Sequence, residues 1–201
     1  MEITANMVKE LRDATGAGVL DCRQALESCS GDFDAAVAYL REKGLAEAAK
    51  RSDRAASEGV IEVYLHPGSR IGVMLELNCE TDFVARTPEF QGLAHDLALH
   101  IAFAAPRYVR REQVPESVIE AERAIYRAQA LQEGKPERIL DRIVDGKLEK
   151  FYSKVCLLEQ PFVKDEEQTV EAVLKDQIAR LGENIVIRRF VRYQLGESLE
   201  G

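Results

Sequence analysis

The hydrophobic period of the chain changes near residue 58. Before it, apolar residues recur at helical spacing: Met7, Val8 and Leu11; then Val19, Cys22, Ala25 and Leu26; then Phe33, Ala36, Val37 and Leu40. After it, residues 60–65 and 71–78 alternate, with Ile71, Val73, Leu75 and Leu77 on one face. A helix repeats about every 3.6 residues and a strand every two, so one segment cannot satisfy both patterns. The chain must therefore combine separate helical and sheet regions.

The punctuation refines this. Thr15-Gly16-Ala17-Gly18 separates the first two helices. Ser30-Gly31-Asp32 closes the second, and Asp32 is suited to cap the free N–H groups of the third. Lys43-Gly44 is expected to end that helix. This predicts a three-helix head over residues 1–45, near the lower size limit for independent stability. Residues 46–57, rich in Ala, Lys, Arg and Glu, are expected to form a partly helical linker, and residues 58–201 a core domain. Turn residues at 66–70 join the two strands as a hairpin. Helices follow from Pro88 to about 103, from Pro115 to about 133, and through Ile139, Ile143, Leu148 and Phe151 with a possible break at Asp145-Gly146. Pro161 makes 157–163 irregular or extended. A helix over 168–181 stops at Gly182. The alternating 184–195 segment forms a third strand beside the hairpin, since two strands alone are rarely stable. The fold class is α+β: a helical head, a linker, and helices on a small, mainly antiparallel sheet.

The net charge of −8 argues against direct nucleic-acid binding, which needs a concentrated basic face. The local basic clusters are small: Arg107, Arg110 and Arg111, and Lys50, Arg51 and Arg54. Cys22, Cys29, Cys79 and Cys156 form no C-x-x-C pair, so neither a zinc knuckle nor a redox motif is expected, and scattered cysteines suit a reducing cytoplasm. The start lacks a secretory signal pattern, and no run of about 18 apolar residues predicts a membrane span.

Catalytic apparatus is hard to find. No G-x-x-x-x-G-K-[ST] loop occurs, and Gly16-Ala17-Gly18 follows a helix rather than a strand. His66 lies in a turn, and His95 and His100 are spaced poorly for a shared metal. A Cys79, His100 and Asp82 triad has no support in the spacing; Cys79 reads as a small apolar residue at a strand end. No cofactor or metal is expected. A binding or regulatory protein is favoured over an enzyme, an adaptor being the main alternative.

Five collinear segments carry a family resemblance. The first joins Val8-Lys9-Glu10-Leu11-Arg12, Thr15-Gly16-Ala17-Gly18 and Asp21-Cys22-Arg23-Gln24-Ala25-Leu26. The second is Asn78-Cys79-Glu80-Thr81-Asp82-Phe83-Val84-Ala85. The third is Leu99-His100-Ile101-Ala102 with Pro106-Arg107-Tyr108-Val109. The fourth runs from Cys156 to Asp165 through Gln160-Pro161-Phe162-Val163. The last is Gly182-Glu183-Asn184-Ile185-Val186-Ile187-Arg188-Arg189-Phe190. Together they resemble the elongation factor Ts family, in its short form with one copy of the core subdomain.

The resemblance implies a ubiquitin-associated-like head and a guanine nucleotide exchange function. The partner would be elongation factor Tu, GDP-bound and nucleotide-free, with no covalent chemistry. It implies that Thr81, Asp82, Phe83 and Val84 act on the partner near its magnesium site, Phe83 as a wedge. Arg12, Val19 and Leu20 are the candidate second docking site. Some members carry two methionines where this chain has Val19-Leu20; both pairs are apolar. From the residues alone, Val19 and Leu20 could instead pack the head's own core, Phe83 could be a core aromatic, and Asp82 a helix-capping acid. Short members are expected to form homodimers, for which a sheet edge is a reasonable route.

Overall fold

The computed structural model describes residues 3–198. The first two residues of the head and the last three of the core, as delimited above, lie outside the described residues.

Three helices open the chain: α1 (Ala5–Thr15), α2 (Val19–Ser28) and α3 (Phe33–Arg51). The beginnings of α1 and α3 follow from local chemistry: Thr4 accepts from the Met7 N–H at 3.3 Å, and Asp32 from the Ala35 N–H at 2.9 Å. Their inner faces bury Val8, Leu11, Cys22, Ala25, Leu26, Ala36 and Leu40 in one cluster. The three helices fit a ubiquitin-associated-like module.

The expected stop at Lys43-Gly44 does not occur. Helix α3 runs through Gly44 to Arg51 and buries Ala48 in the main core. Glycine there serves close approach: a Cβ on Gly44 would lie 2.9 Å from the Cβ of Ala179 in α8 (Val170–Leu181). A helical glycine costs about 1 kcal/mol against alanine, a cost that packing of α3 on α8 offsets. The first half of the expected linker, residues 46–51, is thus the end of one continuous helix that joins the head to the core.

The sheet has three antiparallel strands in the order β1 (Glu58–Leu65), β2 (Ile71–Cys79), β5 (Val186–Gln194). Val73, Leu75 and Leu77 face inward as the alternation predicts. They pack with Ile187 against α5 (Pro88–Ala104), which contributes Phe90, Leu93, Leu97 and Ile101. The opposite face is uncovered: Ile61, Val63, Leu65, Met74, Val191 and Tyr193 are all exposed. Cross-strand pairing aligns Val63, Met74 and Val191 in one row.

Helices α6 (Glu116–Gln132) and α7 (Glu137–Val155) form an antiparallel hairpin. The possible break at Asp145-Gly146 is absent. Leu140, Val144, Leu148, Phe151 and Val155 keep one buried stripe at helical spacing through it, and the stripe outweighs the weak local signal of one glycine. Two short strands, β3 (Pro161–Phe162) and β4 (Asp165–Thr169), form a small hairpin. Residues 168 and 169, expected to be helical, therefore belong to β4, and Thr169 caps α8 by accepting from the Ala172 N–H. Among the described residues, no helix is long and apolar enough to cross a membrane.

Candidate functional site

At the end of β2 the chain turns into α4, a single helical turn (Asp82–Ala85). Strand β1 can approach this end of β2 because residue 59 is glycine: at φ +145°, a Cβ there would lie 2.1 Å from the Leu77 carbonyl oxygen. Thr81 caps α4, its hydroxyl oxygen accepting from the Val84 N–H at 3.4 Å. Thr87 closes the other end: its hydroxyl donates to the Val84 carbonyl at 2.8 Å, and its oxygen accepts from the Phe90 N–H at the start of α5.

The turn points Phe83 outward. Its side chain is 79% exposed, whereas its neighbours anchor the turn: Ala85 is buried and Val84 packs on the core. The core-aromatic alternative for Phe83 is therefore excluded. Asp82 is half-buried and its carboxylate pairs with Arg86 at 2.8 Å. An exposed i,i+4 pair contributes little stability, so this carboxylate can exchange partners at small cost.

Behind the turn stands Glu183. One of its carboxylate oxygens accepts from the backbone N–H groups of Glu80 and Thr81, at 3.1 and 3.0 Å; the other accepts the Thr81 hydroxyl at 2.6 Å. Charge-assisted bonds of this kind are among the stronger ones in proteins. Sequence reasoning quoted Glu183 within a motif and gave it no role. No local pattern could have found it, because its partners lie 102 and 103 residues away.

The head presents a second exposed apolar pair. Leu20 is 82% and Val19 53% exposed, so neither packs the head's own core, and Val19 does not belong to the buried stripe of α2. Arg12, in the last turn of α1, is exposed as well.

The Cys79–His100–Asp82 triad is not assembled, because each member is engaged elsewhere. Cys79 is fully buried and its thiol donates to the Thr81 carbonyl; burial, with help from the Glu183 charge, pushes its pKa up to about 11. A thiol so protonated is a poor nucleophile. His100 is buried too: its Nδ1 accepts from the Val163 N–H at 3.1 Å, and its Nε2 bonds the Gln160 side-chain oxygen at 3.0 Å. Burial lowers its pKa, so the ring is a neutral core strut. His95 pairs with Glu62, and His66 with the Tyr64 hydroxyl. Among the described residues, no group of three or more His, Cys, Asp or Glu side chains is placed to hold a metal.

Part of each basic cluster is paired internally. Arg111 is tied to Glu149 and Glu159, which raise its already high pKa, and its guanidinium stacks 4.5 Å from the Tyr152 ring. Arg51 pairs with Glu47, and Arg54 approaches Glu80.

A comparison with known proteins agrees with the five motifs. The family model described as "Elongation factor TS" matches residues 3–197. Elongation factor Ts of Desulforamulus reducens is 58% identical over 199 residues, covering 99% of this chain and 92% of the relative. That of Carboxydothermus hydrogenoformans is 59% identical over 197 residues, covering 98% and 91%. That of Syntrophus aciditrophicus is 55% identical over 200 residues and covers both chains end to end. With a family match over nearly its whole length and relatives well above half identity, the chain belongs to the elongation factor Ts family.

Proposed function

We infer that the protein is a guanine nucleotide exchange factor of translation elongation: it binds elongation factor Tu and promotes release of GDP, without covalent chemistry of its own. The observation that carries this reading is Phe83, a large apolar side chain held at 79% exposure by a turn clamped from both ends. A single exposed apolar residue needs no explanation. An exposed aromatic on a turn with this much supporting structure does, and a wedge is the use that fits it.

Phe83 enters between two helices of the partner's nucleotide-binding domain, and Asp82 exchanges Arg86 for polar groups near the magnesium site. Thr81 and Val84 hold the turn's base. The physical requirement is linkage: a factor that prefers nucleotide-free Tu must weaken GDP by the same ratio. A shift of about 10⁴-fold needs roughly 5.5 kcal/mol of coupling. Burying one Phe contributes about 1.5–3 kcal/mol, so further contacts are required. The head (1–45), through Arg12, Val19 and Leu20, is the second docking site. The end of α3, residues 46–51 of the 46–57 linker, carries it towards the core (58–201). The reaction takes place in the cytoplasm, where the partner works, and involves neither nucleic acid nor a membrane directly.

A homodimer also fits, through the sheet's uncovered face more than its edge. Ile61, Val63, Leu65, Met74, Val191 and Tyr193 form an apolar surface that a second copy can bury. Met74→Arg is expected to leave the monomer folded and to shift sedimentation of a dimer towards one chain; an unchanged dimer would rule this face out.

The exchange reading is tested by calorimetry of the protein against nucleotide-free and GDP-bound Tu, beside release of a fluorescent GDP analogue. Tighter binding to the empty form and faster release are expected. Equal affinity for the two forms would refute it.

A further inference from the structure

We propose that Glu183 and Asn184 are positioning residues that lock the Asp82–Phe83 turn to the helix carrying the head, so that docking of one aligns the other. This rests on the exchange function inferred above and adds two residues to which that reading gives no part.

The two residues follow Gly182, whose left-handed conformation at φ +75° ends α8 and turns the chain back towards the end of β2. From there they reach in two directions. Glu183 takes the N–H groups of Glu80 and Thr81 and the Thr81 hydroxyl, fixing the residues on which α4 begins. Asn184 is 2% exposed. Its side-chain amide donates to the backbone carbonyls of Ser52 at 3.2 Å and Arg54 at 2.8 Å, just beyond the end of α3. Its own N–H donates to the Glu80 carboxylate at 2.7 Å, and Arg54 approaches the same carboxylate. The end of the head's helix, the start of the wedge and the exit from α8 thus meet at two consecutive side chains.

The chemistry at this node depends on reach as well as on charge. Two backbone donors converge on one carboxylate oxygen, which a glutamine carbonyl can reproduce at the same reach, but the second oxygen accepts the Thr81 hydroxyl, which a glutamine amide nitrogen cannot. An aspartate keeps the charge and loses one methylene of length. A wedge is effective only when its position is fixed before the partner yields, because any freedom of Phe83 must be removed on binding.

The test uses the full-length protein with two readouts. Hydrogen exchange of the free protein follows the Glu80 and Thr81 amides, and release of a fluorescent GDP analogue from Tu is measured over a range of protein concentrations. In Glu183→Ala and Glu183→Asp we expect those amides to exchange about tenfold faster, and the limiting release rate to fall about tenfold with half-saturation almost unchanged. Glu183→Gln, which keeps the reach but whose amide nitrogen cannot accept the Thr81 hydroxyl, should fall between the parent and Glu183→Asp in both readouts. Asn184→Ala should keep the amides protected and the limiting rate, but raise the half-saturating concentration severalfold, because the head is then less well aligned. If Glu183→Ala fails to fold, the Asp and Gln variants still decide between reach and charge. A Glu183→Asp variant as active as the parent, or fast amide exchange with unchanged kinetics, overturns the proposal alone. A parent protein that releases no GDP overturns the exchange reading, whereas the amide exchange still reports whether Glu183 holds the turn.

Discussion

The Asp82–Phe83 turn at 81–87, the proposed wedge, and the head's turn at 16–20 are built alike at the surface and held by different means. Both present exposed apolar side chains beside the start of a helix: Phe83 in one, Val19 and Leu20 in the other. The wedge turn is held from a distance, with Glu183 reaching it across more than a hundred residues. The head's turn is held almost wholly by its neighbours. The Thr15 hydroxyl oxygen accepts from the Ala17 N–H, the Cys22 thiol donates to the Ala17 carbonyl, and Gly18 at the start of α2 offers no side-chain cap. Lys43 is the long-range tie, reaching Asp21 of α2 at 2.8 Å. On the function proposed above, a surface that forces a partner apart needs long-range bracing, whereas one that only adds affinity can remain locally built and adaptable.

That contrast can be broken by experiment. The largest effect is expected from Asp82→Ala with Phe83→Ala. Losing about 1.5–3 kcal/mol of aromatic contact should slow limiting GDP release roughly ten- to a hundredfold. Circular dichroism should not change, since both side chains lie at the surface; full exchange activity in the double variant would remove the wedge. Next, Leu20→Asp should weaken association about tenfold while leaving the limiting rate intact; a fall in limiting rate instead would mean that the head also takes part in release.

A smaller change tests the joint between the two regions. Gly44→Val places a side chain against Ala179 and should destabilise the fold by about 1–3 kcal/mol. Thermal unfolding should then fall by roughly 2–4 °C for each kcal/mol. An unchanged midpoint would show that α3 and α8 can separate freely. The mildest effect concerns the scaffold common to both regions. Burial keeps His100 neutral below its ordinary pKa of 6.5. The unfolded chain takes up that proton first as pH falls, so the His100 contribution is present above about pH 6.5 and is lost below it. The slope is at most about 1.4 kcal/mol per pH unit. Chemical denaturation at pH 7.5 and 5.5 should show the loss, and His100→Gln should flatten it.

Much of this was legible in the sequence because it depends on near neighbours. The period-two runs located the hairpin, Pro88 announced α5, and Gly182 ended α8. Local signals failed where a distant contact outweighed them. Gly44 reads as a stop until Ala179 lies against it, and Gly146 reads as a break until the stripe from Leu140 to Val155 is packed. Phe83 and Leu26 are both simply apolar in the sequence, yet one is 79% exposed and the other fully buried.

The sequence by itself determined the α+β class, the order of the elements and the family, since periodicity, capping residues and collinear motifs are properties of short segments. Only the tertiary structure decided that α3 bridges head and core, that Phe83 and Leu20 face outward, and that Glu183 and Asn184 meet the base of the Asp82–Phe83 turn. Burial and long-range hydrogen bonds depend on which remote segments share space, and spacing along a chain does not encode that directly.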